Sequence, residues 1–180
     1  LSSVVIYQAR TEVEAAGVLL DRLWRVRGEE LRRSAELASL DFGFREAIAT
    51  RDTVTIASAL DNVRMRLEVP SAYFLPLEGG AIRAGDGRDP NQASELFDVV
   101  DSSETTAGVI AIDGRNYHGA FAPVMVPDFR GWFLLLEPLD TRQLHASAEL
   151  ANLPIVLDIV ATEDAVREPS VHWGNTWSLA

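Results

Sequence analysis

Apolar positions change their spacing along the chain, dividing it into a helical opening, a strand-rich middle and a mixed end. Residues 4–38 contain no proline, and Gly17 and Gly28 are the only glycines there. Val13, Ala16, Leu20, Leu23, Leu31, Ala35 and Ala38 follow i, i+3, i+4 spacing, with Arg27 interrupting the stripe. This predicts one long amphipathic helix, on the order of 50 Å at 1.5 Å per residue. Such a helix exceeds what one compact domain needs, so part of it is expected to project or to pair with another helix. Residues 41–67, DFGFREAIATRDTVTIASALDNVRMRL, predict two shorter helices. In the first, Phe42, Arg45 and Ala49 fall on one side, with Phe44 and Ile48 beside them. In the second, Ile56, Leu60, Val63 and Leu67 recur at helical spacing. Thr50-Arg51-Asp52 breaks the two apart, and Asp52 or Thr53 suits the next N-cap through its side-chain oxygen.

After Leu67 the period changes. Residues 71–77 (SAYFLPL) read as a strand, 78–80 as a turn and 81–85 as its return. A Gly/Pro/Asp-rich loop over 85–92 leads to a short helix at 93–100. Strands at 105–112 and 117–126 flank a turn at 113–116, and 127–131 turns into the apolar strand 132–136. The apolar character of that last strand places it in the middle of the sheet. A helix is expected at 140–152 and a strand at 155–161, and the 173–177 tail can add another. Two strands, a helix, then three hairpin-connected strands is the order of a PAS-like antiparallel sheet, so the expected class is α+β.

Composition narrows the function. A hydrophobic fraction of 47% excludes disorder, and the formal charge of −11 argues against nucleic acid, which needs a basic surface. No run of about 18 apolar residues marks a membrane span. The chain begins at Leu1, which suggests a fragment whose flanking transmembrane helices lie outside it. The absence of cysteine removes disulfide and thiolate chemistry. All basic residues are arginine, so P-loop and Schiff-base lysine chemistry are eliminated as well.

Catalytic motifs are not evident. His118, His145 and His172 include no zinc-binding i, i+4 pair and read as isolated core or surface histidines. No Gly-x-Ser-x-Gly elbow occurs. Asp86, Asp89 and Asn91 share a loop but lack EF-hand spacing, and Glu29-Glu30 sit on a helix surface. No metal, cofactor or catalytic residue is expected. Binding remains: a curved sheet with covering helices can hold a small molecule, and arginine and tyrosine suit a polar one. Arg45, on the apolar side of its helix, is either paired or ligand-facing. Arg66 lies where its helix delivers the chain to the first strand. Tyr73 and Tyr117 lie on strands and can point hydroxyls inward, and Trp132 opens the central strand. The two arginines lean the ligand toward an anion.

The wording of residues 41–67 resembles the opening of Cache-type sensor domains, extracytoplasmic relatives of PAS domains in bacterial membrane receptors. That family's pattern runs roughly F-G-Y-R-E-A-I-A-T-G-D, then a helix ending N-x-x-x-R. Phe42, Gly43, Arg45, Glu46, Ala47, Ile48, Ala49, Thr50, Asp52, Asn62 and Arg66 match it, while Phe44 replaces the tyrosine and Arg51 the glycine. The likeness continues through Gly114-x-x-Tyr117, Ala122-Pro123-Val124 and Gly131-Trp132, covering most of residues 40–157.

The resemblance implies a signalling and dimerisation helix over 1–40 and a PAS-like sensor over 41–180. It further implies a periplasmic portion of an inner-membrane protein, homodimeric through the N-terminal helix, without enzymatic activity of its own. Binding of a small molecule at Arg45, Arg66, Tyr73, Tyr117 and Trp132 would regulate an attached GGDEF/EAL cyclic-di-GMP enzyme or similar output. The alternatives are a structural dimerisation module with no ligand, or a small hydrolase without a recognisable motif.

Overall fold

The computed structural model describes residues 22–86, 93–112, 115–139 and 171–174. Its centre is the strand with the longest uninterrupted apolar run, β5 (Asp128–Pro138). Successive strand residues face opposite sides, and in β5 both sides are covered. Phe133 and Leu135 enter one core, Leu134 and Leu136 a second, and all four are 0% exposed. The position expected for the 132–136 segment, in the middle of the sheet, is the one observed.

Around it, β1 (Ser71–Pro76), β2 (Ile82–Gly85), β3 (Ala107–Ile112), β4 (Arg115–Val126) and β6 (Val171–Gly174) complete one sheet in the order β2-β1-β5-β4-β3-β6. Every pairing is antiparallel. β6 joins the β3 edge, so part of the expected tail strand is present. One face carries α1 (residues 22–39), α2 (Phe42–Thr50) and α3 (Thr53–Arg66). The other carries α4 (Ala93–Asp101) through Leu96 and Val100. The class is α+β, with the expected two strands, helix and three further strands. The remainder of the long N-terminal helix, the 140–152 helix and the 155–161 strand lie outside the described residues.

Capping explains the helix boundaries. Asp41 accepts a hydrogen bond from the Phe44 amide at 2.8 Å, and Asp52 accepts from the Thr55 amide at 2.9 Å. The Thr55 hydroxyl and amide hold the Asp52 carboxyl below its ordinary range. α2 ends at Arg51 in the left-handed region (φ 60°), its amide donating to the Ile48 carbonyl at 3.1 Å. The family pattern has glycine at this position, and the left-handed cap supplies the physical reason.

Three expectations about sides and edges are corrected. α2 buries Phe44, Ala47 and Ile48, while Phe42 is 76% exposed and Ala49 is exposed. A nine-residue helix with apolar residues on two sides docks by the better fit. The Phe44 ring supplies it, edge-on to Phe74 and Phe133 at 5.9 and 5.4 Å. On α1, Leu31, Ala35 and Ala38 are buried as expected, but Leu23 is 47% exposed and Gly28 takes its place on the inner side. The turn expected over 127–131 is shorter, because Asp128 already pairs with Val126. A bulge between Val124 and Met125 leaves Arg130 as the extra residue and re-aims β5. Gly131 restores the register at φ +146°, where a Cβ would sit 2.1 Å from the Leu75 carbonyl oxygen.

Two substitutions test these constraints in opposite directions. Arg51→Gly should raise unfolding free energy by about 1 kcal/mol by relieving the left-handed strain. Gly131→Ala should lower it by about 3 kcal/mol through clash and strain together. Urea denaturation of the two variants beside the parent chain measures both.

Candidate functional site

The α4-facing side of the sheet is patterned in rows by strand register. One row runs Arg83, Tyr73, Leu134, Phe121 across β2, β1, β5 and β4. The next runs Ser71, Leu136, Gly119, Gly108 across β1, β5, β4 and β3. Beyond it, Tyr117 stands opposite Ile110 and Pro138. The middle row carries little side-chain bulk, since two of its four positions are glycine and one is serine. Between the Tyr73 and Tyr117 rows this low-bulk strip makes a trough in the sheet face that is filled at Leu136 and covered, Ser71 and Leu136 being 1% and 0% exposed, with α4 packed on the same face. Tyr117 and Phe121 are four residues apart on β4, so the flanking rows are separated by about 13 Å of strand.

Tyr73 and Tyr117, at 1% and 5% exposure, are both buried in this layer. Ser71 is equally buried, and its hydroxyl donates to the Leu136 carbonyl at 2.9 Å. Trp132 lies one row beyond Tyr73, opposite Leu75 and Pro123. Its ring meets Phe121 and Phe129 edge-on at 5.2 and 5.1 Å, and Nε1 donates to Asp101 Oδ1 at 3.0 Å. Asp101 is the last residue of α4, so Trp132 ties that helix to the central strand, a packing role.

Arg45 and Arg66 lie in the helical layer on the opposite side of the sheet from the tyrosines. Arg45 Nε donates to the Met125 carbonyl at 3.0 Å, fastening α2 to the end of β4. Arg66 Nη2 pairs with Asp41 Oδ2 at 2.6 Å, joining the end of α3 to the N-cap of α2. That guanidinium and the Phe44 amide hold the Asp41 carboxyl below its ordinary range. The five residues expected to share a ligand therefore do not converge. Arg45 braces α2 against β4 and Arg66 ties α3 to α2, while the aromatic three share the other face.

Arg83 shares the tyrosine face, half-buried and in register with Tyr73 on the edge strand β2, its Nη1 donating to the Gly85 carbonyl at 3.5 Å. Alternation was its only signal. Ile82 and Ala84 pack with the helical-side core, which leaves Arg83 on the α4 side. Guanidinium, phenol and hydroxyl groups along one trough can orient an anionic or polar small molecule through directional hydrogen bonds. Among the described residues no group of three or more His, Asp or Glu side chains is placed to hold a metal ion.

Among the described residues no helix is long and apolar enough to cross a membrane. No family model matches the chain, and no curated protein matches its sequence.

Trp132→Phe keeps the ring packing and deletes the bond to Asp101. It should lower stability by about 1 kcal/mol and raise amide exchange in α4 without affecting α3, readable by hydrogen-exchange mass spectrometry.

Proposed function

We propose that the chain is the ligand-sensing domain of a bacterial transmembrane signalling protein. It would lie outside the cytoplasm and bind a small, polar or anionic molecule on the α4-facing trough. The binding energy shifts the balance between arrangements of α1, which carries the signal through the membrane to a cyclic-di-GMP cyclase, phosphodiesterase or similar output. Transmission requires the ligand to prefer one arrangement over the other. The domain itself performs no chemistry in this reading.

The observation that carries the proposal is the placement of Arg83, Tyr73, Ser71 and Tyr117 with Gly119 and Gly108 on one face of an antiparallel sheet. The match of residues 41–67 to the Cache pattern supports it independently. The anion-gripping role expected of Arg45 and Arg66 passes to Arg83, because Arg83 is in register with Tyr73 on the α4-facing side, whereas the former two lie in the helical layer against Met125 and Asp41.

Dimerisation has its own support. On the side of α1 away from the sheet, Leu23, Val26 and Leu37 are 47%, 51% and 70% exposed, and Leu40, just past its end, is 66% exposed. With Glu30 and Arg33 between them they recur at alternating intervals of three and four, the spacing of a coiled-coil seam. A second copy of α1 is the partner this seam suits. The same seam favours the second reading, a dimerisation module without a ligand.

A thermal-shift screen of anionic and polar metabolites separates the readings. A ligand present at 100 times its Kd should stabilise the chain by about 2.7 kcal/mol. Arg83→Ala should abolish that gain, whereas Arg66→Ala should lower baseline stability by under about 1 kcal/mol and leave the gain intact. Silence across the library would favour the ligand-free module. Sedimentation at high concentration should show a dimer, and Leu37→Asp should weaken it at least about tenfold, a loss of 1.4 kcal/mol or more. A monomer at every concentration would contradict pairing through α1.

A further inference from the structure

α1 rests on the sheet beside the buried His118. His118 of β4 is 6% exposed, and Trp24 of α1 meets its ring edge-on at 5.0 Å. Gly28 of α1 brings the helix backbone against the ring, where a Cβ would stand 3.2 Å from His118 Nε2. The other ring nitrogen, Nδ1, is buried without a hydrogen-bond partner. Across the strand pair, His118 stands opposite Glu137 of β5. The Glu137 carboxylate is already occupied by Arg27 of α1, whose Nε donates to Oε2 at 3.0 Å and whose Nη2 donates to Oε1. Arg27 also pairs with Glu30 at 3.0 Å. On the other flank, the β3 neighbour of His118 is the apolar Val109. The charged groups acting on His118 are therefore Glu137 from β5 and Arg27 from α1.

This arrangement favours a neutral imidazole. A proton on His118 would be buried against a helix backbone, within reach of a cation, and with its natural partner taken. Burial, with Arg27 adding to it and Glu137 opposing it, pushes the imidazole down to about 4.

We propose that His118, Glu137 and Arg27 form an acid-sensitive latch, in which protonation of His118 draws Glu137 away from Arg27 and frees the N-terminal half of α1 from the sheet. The latch depends on the α1–sheet contact alone and stands whether or not the opposite face binds a ligand. If α1 conveys a signal, local acidity becomes a second input acting on the same helix.

The direction follows from proton linkage. The docked state holds His118 below its ordinary value of 6.5, so the released state binds more protons. Docking is at full strength above about pH 6.5 and weakens as pH falls toward 4. At about pH 5 the equilibrium for release should rise ~30-fold over its neutral value.

The test is amide exchange of residues 22–30 in the full chain between about pH 7.5 and pH 5, corrected for intrinsic exchange, with α3 as internal reference. Protection over 22–30 should fall about thirtyfold while α3 holds. His118→Phe, which keeps an apolar ring and cannot titrate, should flatten that response. Glu137→Gln should loosen the segment at neutral pH. An NMR titration of the His118 ring in the unmodified chain reads the same point without any substitution, and a midpoint well below 6.5 is expected. Exchange of 22–30 that tracks α3 at every pH would overturn the latch. So would an undiminished acid response in His118→Phe, or a ring titrating at or above its ordinary value.

Discussion

The fold depends on β5 being buried on both of its faces. Phe133 and Leu135 are held against the α1–α3 layer and Leu134 and Leu136 against the α4 layer, all four without solvent exposure. Because the side-chain period of a strand is two, slipping β5 by one residue would exchange its two sets of partners. Phe133 would leave the edge of Phe44, and Leu134 would leave the row it shares with Tyr73 and Phe121. The bulge at Arg130 and the close approach of Gly131 to Leu75 fix that register at the start of the strand. Both cores, and the position of every residue on the α4 face, follow from it.

This two-sided strand gives the faces different characters. The helical side packs Phe44, Phe74, Phe133 and aliphatic side chains among several alanines and is cross-braced by long-range polar ties: Arg45 to Met125, Arg66 to Asp41 and Arg27 to Glu137. Each tie links separate elements, so the layer resists sliding as well as separation. On the α4 side the described residues combine the aromatic rows of Tyr73 and Tyr117 with a strip made of Ser71, Leu136, Gly119 and Gly108. Directional polar groups there come from strands rather than loops, which holds them in fixed mutual geometry. In the proposed reading, a ligand on one face of the sheet reaches the helix docked on the other through shifts in how α1 sits. Gly28 and His118 mark where that docking is closest.

Element order was legible from sequence because each period was long enough to declare itself. Ile56, Leu60 and Val63 named the inner side of α3, its cap was narrowed to Asp52 or Thr53 and is Asp52, and residues 132–136 named the central strand. Orientation was legible only where one side was unambiguously apolar. In α2, Phe42 and Phe44 compete, and the contact that decides between them, Phe74 with Phe133, is made by strands 30 and 89 residues from Phe44 in the chain. The partner of Arg45 is a carbonyl 80 residues away, which no local pattern can reveal. Arg83 was within reach by alternation through Ile82 and Ala84, but its importance emerged only once β2 and β1 were in register. The latch residues had two local hints, Arg27 interrupting the apolar stripe and Gly28 inside an otherwise helix-forming run.

The account makes the α4-facing trough the recognition surface, and amide chemical-shift mapping in the presence of a stabilising metabolite tests that most directly. The largest perturbations should cluster on Ser71, Tyr73, Arg83, Tyr117 and Gly119, with smaller, concerted changes along α1. Perturbations confined to the α2–α3 layer around Arg45 and Arg66, with the trough silent, would contradict it.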